Sequence, residues 1–253
     1  MIDKLAYLVE FLLDEMPEYR ESAKEFGDQR MLLRALMNVR PPMKLSPEFL
    51  KVQDEFLSAE RERRGVVDVE TLPEVEKGIS LWQGDITTLK ADAVVNAANS
   101  KLLGCFVPCH RCIDNAIHSA AGLQLRDECY HLMLEQGHDE PTGEAKLTKG
   151  YNLPAKHVLH TVGPIVAGEL TDRHCAELES CYRSCLELAE NEGLHSVVFC
   201  CISTGEFRFP NDIAAGIAVR TVREFLKGAR NVKKAVFNVF KDIDLELYRR
   251  ELA

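Results

Sequence analysis

At 253 residues, the chain has room for one large α/β domain or for one ordinary domain with an appendage. Its 46% hydrophobic and 28% charged residues are typical of a globular protein and argue against a disordered one. A net charge of −9 argues against a protein that mainly grips a phosphate backbone, so we expect no nucleic-acid partner. The sequence shows neither a membrane-length apolar run nor a secretory signal, and we expect a cytoplasmic protein with no membrane partner.

The first 70 residues are predicted to form a helical N-terminal extension. Apolar residues recur three or four apart in the segments KLAYLVEFLLDE, DQRMLLRALMNVR and SPEFLKVQDEFLSAERERR. Pro41-Pro42 separates the last two segments, and Ser46-Pro47 supplies a helix N-cap and first turn. The extension holds no cluster of ligand side chains, so we interpret it as a packing appendage. A polar connector is expected over residues 66–78, and the main domain is assigned to residues 71–253.

The rest of the chain alternates short apolar segments with helical patterns. The apolar segments are rich in β-branched or aromatic residues and are predicted to be strands: ISLWQ, ADAVVNAAN, HVLHTV, SVVFCCI and KAVFNVF. Helical patterns lie between them near residues 113–135, 172–192 and 211–227. Strands that are apolar throughout and alternate with helices predict an α/β fold, with a largely parallel sheet covered on both faces.

In such a fold, ligands bind in the loops that follow the carboxyl ends of the strands. Three loops rich in small polar residues occupy that position: GDITTLKAD, NAANSKLLGCFVPCHRC and STGEFRFPND. Asp85 could accept a hydrogen bond from the amine of a base, and the amides of Asn96 and Asn99 could bind ribose hydroxyls. The N–H groups of residues 203–207 could bind a diphosphate. The same residue types also form ordinary turns and caps.

The second loop leads into the stretch GCFVPCHRCIDNAIH, which places three cysteines and two histidines within residues 104–118. The chain has nine cysteines, an odd count, and clustered cysteines in a reduced protein suggest metal binding or catalysis. A structural zinc site would need a second ligand pair, and no well-spaced pair is found elsewhere in the sequence. A redox pair of Cys109 and Cys112 has only part of the expected helix context. The cysteines best explained as buried and unreactive are Cys129, Cys181, Cys185, Cys200 and Cys201.

A catalytic zinc site with three protein ligands fits this stretch best. Cys105, His110 and Cys112 offer sulfur, nitrogen and sulfur donors on one loop, and they leave a fourth position for water or substrate. Cys109 and His118 are the alternative ligands, although His118 should lie one turn into the following helix.

Motifs in and between these loops resemble those of the macrodomain family of ADP-ribose binders and hydrolases. They are GDIT (84–87), DAVVNAANS (92–100), CIDNAIHSAAG (112–122), GEAKLTKGYNLPAKHVLHTVGP (143–164) and STGEFRFP (203–210). More narrowly, GCFVPCHRCIDNAIH resembles the signature of a zinc-dependent subclass of macrodomain hydrolases, and the resemblance includes the helical extension. The fold that it implies is a three-layer α/β/α macrodomain around a mixed, largely parallel sheet, with an α-helical N-terminal extension.

The resemblance also implies roles for individual residues. It implies one Zn²⁺ per chain, held by Cys105, His110 and Cys112, and catalytic roles for Asn99 and Asp114. The ADP-ribose contacts that it implies are Asp85, Ile86, Asn96, Asn99, Ser203, Thr204, Gly205, Glu206 and Phe207. Asn115 and Arg208 depart from the family pattern, because glycine is common at both positions. The first change reduces the conformational freedom of the chain beside the distal ribose, and the second bears on the path of the phosphate loop.

The activity implied by the resemblance is hydrolysis of mono-ADP-ribose from a modified protein, at Asp or Glu side chains, with release of ADP-ribose. One alternative is a non-catalytic ADP-ribose-binding module with a structural metal. Another is a phosphatase that acts on ADP-ribose 1″-phosphate. Bacterial relatives of this subclass are associated with a lipoyl-carrier protein that a sirtuin-type transferase modifies, which implies a similar ADP-ribosylated partner for this chain.

Overall fold

The computed structural model describes residues 3–253, so the first two residues of the predicted extension lie outside the described residues. Over that range, the chain forms an α/β domain around a seven-stranded sheet, preceded by a group of helices. The expected α/β fold with a mixed, largely parallel sheet is therefore confirmed. Among the described residues, no helix combines the length and the apolar content needed to span a membrane.

The helical extension begins with the predicted amphipathic segments. Its helices are α1 (Lys4–Glu15), α2 (Arg20–Ala23), α3 (Gln29–Val39) and α4 (Pro47–Arg64). Ser46 accepts a hydrogen bond from the Phe49 N–H and Pro47 occupies the first turn, so α4 starts as its sequence predicts. The apolar faces of these helices form a hydrophobic core of their own, which Leu123 of the main domain joins. The extension is therefore held to the domain by apolar packing as well as by the polar contacts described below.

Residues 3–253 contain nine strands, seven in the large sheet and two in a separate pair. The strands are β1 (Val67–Asp68), β2 (Glu74–Glu76), β3 (Ile79–Gln83), β4 (Leu89–Lys90), β5 (Ala93–Ala98), β6 (Ala145–Lys149), β7 (His157–Val162), β8 (Ser196–Phe199) and β9 (Lys234–Val239). The large sheet contains the five strands predicted from apolar segments and two further strands, β2 and β6, which are too polar to be predicted in that way. The large sheet has the order β2-β3-β9-β8-β5-β7-β6, and β1 pairs with β4. Its inner pairs are parallel, whereas the edge strands β2 and β6 run antiparallel to their neighbours.

The segment expected to be a polar connector, residues 66–78, contains strands β1 and β2. Both strands are short and polar, as edge strands often are, so they lack the apolar signal of the inner strands. The division between extension and domain at residue 70 stays a prediction, because β1 and β2 lie on either side of it.

The helices of the main domain cover the sheet, and they differ from prediction by a break at Gly122 and by the last helix, which was not predicted. They are α5 (Ile113–Ala121), α6 (Leu123–Gln136), α7 (Asp172–Asn191), α8 (Asn211–Leu226) and α9 (Asp242–Glu251). The helical pattern near residues 113–135 is present but forms two helices, α5 and α6, because Gly122 interrupts it with φ +100°. A Cβ at that position would lie 2.7 Å from side-chain atoms of Gln53 and Gln124, so glycine also allows close packing between the extension and the domain.

Candidate functional site

The metal loop, defined here as residues 104–112, runs from the region after β5 to the start of α5 and brings its predicted ligands together. The donor atoms of Cys105, His110 and Cys112 all lie within 4.8 Å of one another. Cys105 Sγ lies 3.6 Å from His110 Nδ1. A tetrahedral zinc ion, with bonds of about 2.3 Å to sulfur and about 2.0 Å to nitrogen, would separate such a pair by about 3.5 Å. Both the donor set and this spacing fit zinc.

Cys112 has a second role at the start of α5. Its Sγ accepts a hydrogen bond from the Asn115 N–H at 3.4 Å and caps the helix. Burial, with the Cys105 thiol beside it, raises the pKa of Cys112 above its ordinary value. Metal binding at this loop would therefore release a proton, and the helix N-terminus would favour the resulting thiolate.

Asp114 lies in the first turn of α5 and is only 4% exposed. Its Oδ1 accepts a hydrogen bond from Asn96 Nδ2 at 2.8 Å, and its Oδ2 accepts one from Asn99 Nδ2 at 3.3 Å. Burial raises the pKa of Asp114 to about 6. The two amides expected to bind ribose hydroxyls are therefore in contact with Asp114 at the carboxyl end of β5, directly beside the metal loop.

The two alternative metal ligands, Cys109 and His118, do not join the donor group. The Sγ of Cys109 donates a hydrogen bond to the carbonyl oxygen of Met31 at 3.3 Å. His118 is buried, and Gly104 packs so closely on its ring that a Cβ there would lie 2.9 Å from it. Its Nε2 lies 3.5 Å from Asp114 Oδ1.

His118 belongs instead to a second, fully buried group with Cys129 and His160. The ring of His160 is already engaged, with Nδ1 3.2 Å from Asn96 Nδ2 and Nε2 2.9 Å from Thr148 Oγ1. Burial lowers the pKa of His160 to about 3, and burial also lowers the pKa of His118 well below its ordinary value. The neutral ring of His160 therefore contacts Asn96, which in turn donates a hydrogen bond to Asp114.

Asp85 follows β3, and the structure shows it in the capping role that its sequence allowed. Its Oδ1 accepts hydrogen bonds from the N–H and the hydroxyl of Thr87, so it caps the short 3-10 helix Ile86–Thr88. Its Oδ2 lies 3.2 Å from Nη1 of Arg64, the last residue of α4. Because the side chain is 45% exposed, it stays accessible to a ligand. The Ile86 side chain is buried, so only its main chain could contact one.

Sequence reasoning missed one residue at this end of the site, Phe240. It directly follows β9, and its ring is 76% exposed, the largest exposure among the large hydrophobic side chains of residues 3–253. The Gly84 N–H donates to the Val239 carbonyl, which places Phe240 beside the turn that carries Asp85. The sequence offered one signal, an aromatic residue at the carboxyl end of a predicted strand.

The STG loop, defined as residues 203–209, lies between β8 and α8. Ser203 and Arg208 adopt positive φ values of 63° and 57°, which are uncommon for residues with a side chain. The Ser203 side chain packs directly against Gly163. A Cβ on Gly163 would lie 2.0 Å from the Ser203 hydroxyl, so this packing requires glycine at residue 163. Among residues 3–253, no acceptor takes the main-chain N–H groups of residues 205–207. A strained loop with free N–H groups, ahead of a helix N-terminus, suits an anion.

The side chain of Glu206 faces the metal loop. Its Oε1 lies 3.6 Å from Nε2 of His110, whose Nδ1 faces Cys105. A carboxylate next to the second nitrogen of a metal-binding histidine orients the ring and fixes its tautomer. The STG loop and the metal loop are thus neighbours, because Glu206 belongs to the first and its carboxylate lies next to His110 of the second.

Comparison with known proteins identifies relatives of this chain. The macro domain family model matches residues 95–218. A protein-ADP-ribose hydrolase of Treponema medium is 50% identical over 254 residues, covering 98% of this chain and 97% of the relative. A protein-ADP-ribose hydrolase of Staphylococcus aureus (strain MSSA476) is 48% identical over 249 residues, covering 95% of this chain and 93% of the relative.

Solved structures give the same result. The Trypanosoma brucei macrodomain in complex with ADP-ribose superimposes with a TM-score of 0.69 at 34% identity, covering 87% of this chain and 95% of its own. The Oceanobacillus iheyensis macrodomain with MES bound matches with a TM-score of 0.64 at 35% identity, covering 71% of this chain. The chain therefore belongs to the macrodomain family, with protein-ADP-ribose hydrolases as relatives along nearly its whole length.

Proposed function

We propose that this protein is a zinc-dependent hydrolase that removes mono-ADP-ribose from aspartate or glutamate side chains of a modified protein and releases ADP-ribose. One observation carries the proposal. Three donor atoms suited to zinc lie within 4.8 Å of one another on the metal loop, and Asn99 and Asp114, which flank that loop on either side, are hydrogen-bonded to each other. A metal at this loop and a buried carboxylate would therefore face the same small region, as metal-assisted hydrolysis requires.

The adenine end of the ligand would lie at the carboxyl ends of β3 and β9. The Asp85 carboxylate could accept a hydrogen bond from the exocyclic amine, and the Ile86 N–H could donate to a ring nitrogen. The exposed ring of Phe240 offers a flat apolar surface on which a base could stack. These three groups come from two adjacent parallel strands, so one planar base could reach all of them.

The diphosphate would lie against the STG loop. The free N–H groups of residues 205–207 and the start of α8 provide donors without net positive charge, which suits a protein of net charge −9. Ser203 is buried, and its hydroxyl has no hydrogen-bond partner among residues 3–253.

The distal ribose would lie between the STG loop and the metal loop, above Asn96, Asn99 and Asp114. The two amides hold both oxygens of the Asp114 carboxylate, so the group is oriented before a ligand arrives. We assign Asp114 the role of general base, or of the group that positions the attacking water, and we assign Asn99 the role of orienting it.

Cys105, His110 and Cys112 would hold one Zn²⁺ per chain, with Glu206 next to the outer nitrogen of His110. When bound, zinc would polarise an oxygen of the ribose or of the scissile ester, and it would lower the pKa of a coordinated water to about 7. The proposed preference for acidic side chains follows from this chemistry. Their ADP-ribosyl esters contain a carbonyl oxygen for a Lewis acid to polarise, whereas a linkage to arginine or serine contains none.

The proposal is tested by offering the purified protein substrates that differ in linkage. They would be proteins mono-ADP-ribosylated on Glu or Asp, on Ser and on Arg, together with an ADP-ribosylated lipoyl-carrier protein, which resemblance suggests as a target. We expect free ADP-ribose from the Glu- or Asp-linked protein, and chromatography of the products would detect it. Phosphate release from ADP-ribose 1″-phosphate alone would favour the phosphatase, and binding without any product would favour a non-catalytic module.

A further inference from the structure

We propose that α3 of the N-terminal extension is a brace that fixes the conformation of the metal loop, with Arg34 and Asn38 as its positioning residues. The extension would then be part of the hydrolytic site and more than a packing appendage. The link from the brace to zinc affinity rests on the proposed function, whereas the link to loop conformation rests on contacts alone.

Arg34 reaches from α3 to two points beside the metal ligands. Its Nη2 donates to the carbonyl oxygen of His110 at 3.2 Å. Its Nε and Nη2 also donate to Asn115 Oδ1, at 3.1 Å and 2.7 Å. A planar guanidinium that makes three hydrogen bonds in a fixed geometry restrains its partners more strongly than a single flexible contact does. One ligand residue of the metal loop is thereby tied to the extension through its own main chain.

Asn38 lies one helical turn further along α3 and holds the neighbouring residue of the loop. Its Oδ1 accepts a hydrogen bond from the Cys109 N–H at 2.9 Å, and its Nδ2 donates to Ser119 Oγ at 2.9 Å. Asn38 is 1% exposed, and an apolar replacement would leave the Cys109 N–H without this acceptor. The positive φ of Cys109, 54°, marks this as a place where the loop needs external support.

Asn115 connects these contacts to the helix that carries Asp114. Besides accepting from Arg34, it donates from Nδ2 to the Val107 carbonyl at 3.0 Å, and its N–H donates to Cys112 Sγ. A glycine at this position, as is common in the family, could make neither side-chain contact. The departure from the family pattern at residue 115 is thus explained by the brace, because the asparagine joins α3, the metal loop and α5.

The three hydrogen-bonded main-chain positions, Val107, Cys109 and His110, lie between the first and last metal ligands. If these positions are fixed, the donor atoms of Cys105 and Cys112 keep their separation before metal arrives. Partners that orient metal ligands without touching the metal typically change metal affinity about 10- to 100-fold. We expect loss of the brace to have an effect of that size.

The test compares Arg34→Ala with Arg30→Ala in the full-length protein. Arg30 lies one turn earlier on α3 and pairs with Glu60 of the extension, so its removal takes the same side chain away without touching the metal loop. Zinc affinity is measured by competition with a chromophoric chelator. Amide hydrogen exchange of peptides covering residues 105–112 reports the loop conformation of the zinc-free protein.

We expect Arg34→Ala and Asn38→Ala to weaken zinc binding about tenfold or more and to speed exchange in the loop, while Arg30→Ala matches the wild type. Arg34→Lys keeps the positive charge but lacks the planar guanidinium with its several N–H donors. It should therefore lose most of the zinc affinity that Arg34→Ala loses. The brace is overturned if Arg34→Ala behaves like Arg30→Ala in both measurements, or if Arg34→Lys matches the wild type. Wild-type protein that binds no zinc, with faster exchange still confined to Arg34→Ala and Asn38→Ala, would refute the proposed zinc site and leave the brace standing.

Discussion

The side-chain amide of Asn96 donates a hydrogen bond of 2.8 Å to Oδ1 of Asp114, inside the domain and at the carboxyl end of β5. Asn96 is itself held in place by His160, whose Nδ1 lies 3.2 Å from the same amide nitrogen. A strand, a helix and a buried histidine thus fix one carboxylate beside the metal loop. Orientation of this kind is most valuable for a group that acts on the scissile bond and contributes little to ground-state binding.

The first prediction concerns Asp114 itself. Asp114→Ala should lower single-turnover hydrolysis by about 10²-fold or more, the usual range for a lost general base, while ADP-ribose affinity changes much less. Isothermal titration with ADP-ribose beside single-turnover kinetics would separate the two effects. Asp139→Ala, which removes an exposed carboxylate from a nearby loop, serves as the control. Equal losses in binding and in rate would mean that Asp114 only shapes the ribose pocket.

Asp85 should show the opposite pattern. Asp85→Ala should weaken ADP-ribose binding by about 1–3 kcal/mol, because a charged hydrogen-bond acceptor is lost. Turnover at saturating substrate should change less, since β3 lies three strand spacings, about 14 Å, from β5 in the sheet. Asp68→Ala is a closely matched control, because Asp68 also caps a 3-10 helix and pairs with a cation. Unaltered affinity of Asp85→Ala by calorimetry would refute the adenine role.

Phe240→Ala tests the second face of the proposed adenine site. If a base stacks on the exposed ring, its loss should cost about 1–3 kcal/mol of ADP-ribose affinity. Protein stability should hardly change, because the ring is 76% exposed. Ile243→Ala removes another exposed apolar side chain, from α9, and should leave the affinity unchanged. A similar titration result for the two variants would exclude stacking at Phe240.

The metal loop leads to a prediction about zinc content and stability. Elemental analysis should find about one zinc per chain, and Cys112→Ala should lose it with little unfolding, because a loop site on a large domain does not hold the core together. Cys109→Ala alters the same loop outside the donor group and should retain zinc. Full zinc occupancy in a triple variant of Cys105, His110 and Cys112 would refute the ligand assignment.

His160 should make the protein sensitive to acid. Burial lowers its pKa to about 3, so the folded state keeps the ring neutral while the unfolded state takes up a proton near pH 6.5. The unfolded state therefore binds more protons below pH 6.5, and the free energy of unfolding should fall by up to about 1.4 kcal/mol per pH unit for this group. Chemical denaturation between pH 7 and 5 should show a flatter profile for His160→Gln. An identical slope in the variant would contradict the buried, neutral assignment.

Much of the architecture was predictable, because the inner strands are continuous apolar segments buried on both faces. The edge strands β2 and β6 were not predicted, because their sequences are polar and contain no continuous apolar segment. β6 has the polar sequence AKLTK and pairs with only one neighbour, so its residues need not be apolar. Helix α9 was also missed, because ten residues with charges along most of their length give a weak apolar pattern.

The candidate site was predictable where its residues are close in sequence. The metal donors lie on one loop, and Asp114 follows them directly, so spacing alone suggested their proximity. The contacts of Arg34 with His110 and of Arg64 with Asp85 could not be inferred in this way. They depend on how the extension docks, and the sequence pattern of a helix reports which face is buried but not which surface it meets.

The most direct test of the central claim is hydrolysis of a Glu- or Asp-linked mono-ADP-ribosylated protein under single-turnover conditions, before and after removal of zinc with a chelator. The account predicts that zinc-free protein still binds ADP-ribose, loses hydrolysis by about 10²-fold or more, and recovers it when one equivalent of zinc is restored. Zinc-free protein that hydrolyses the ester at the wild-type rate would contradict the account.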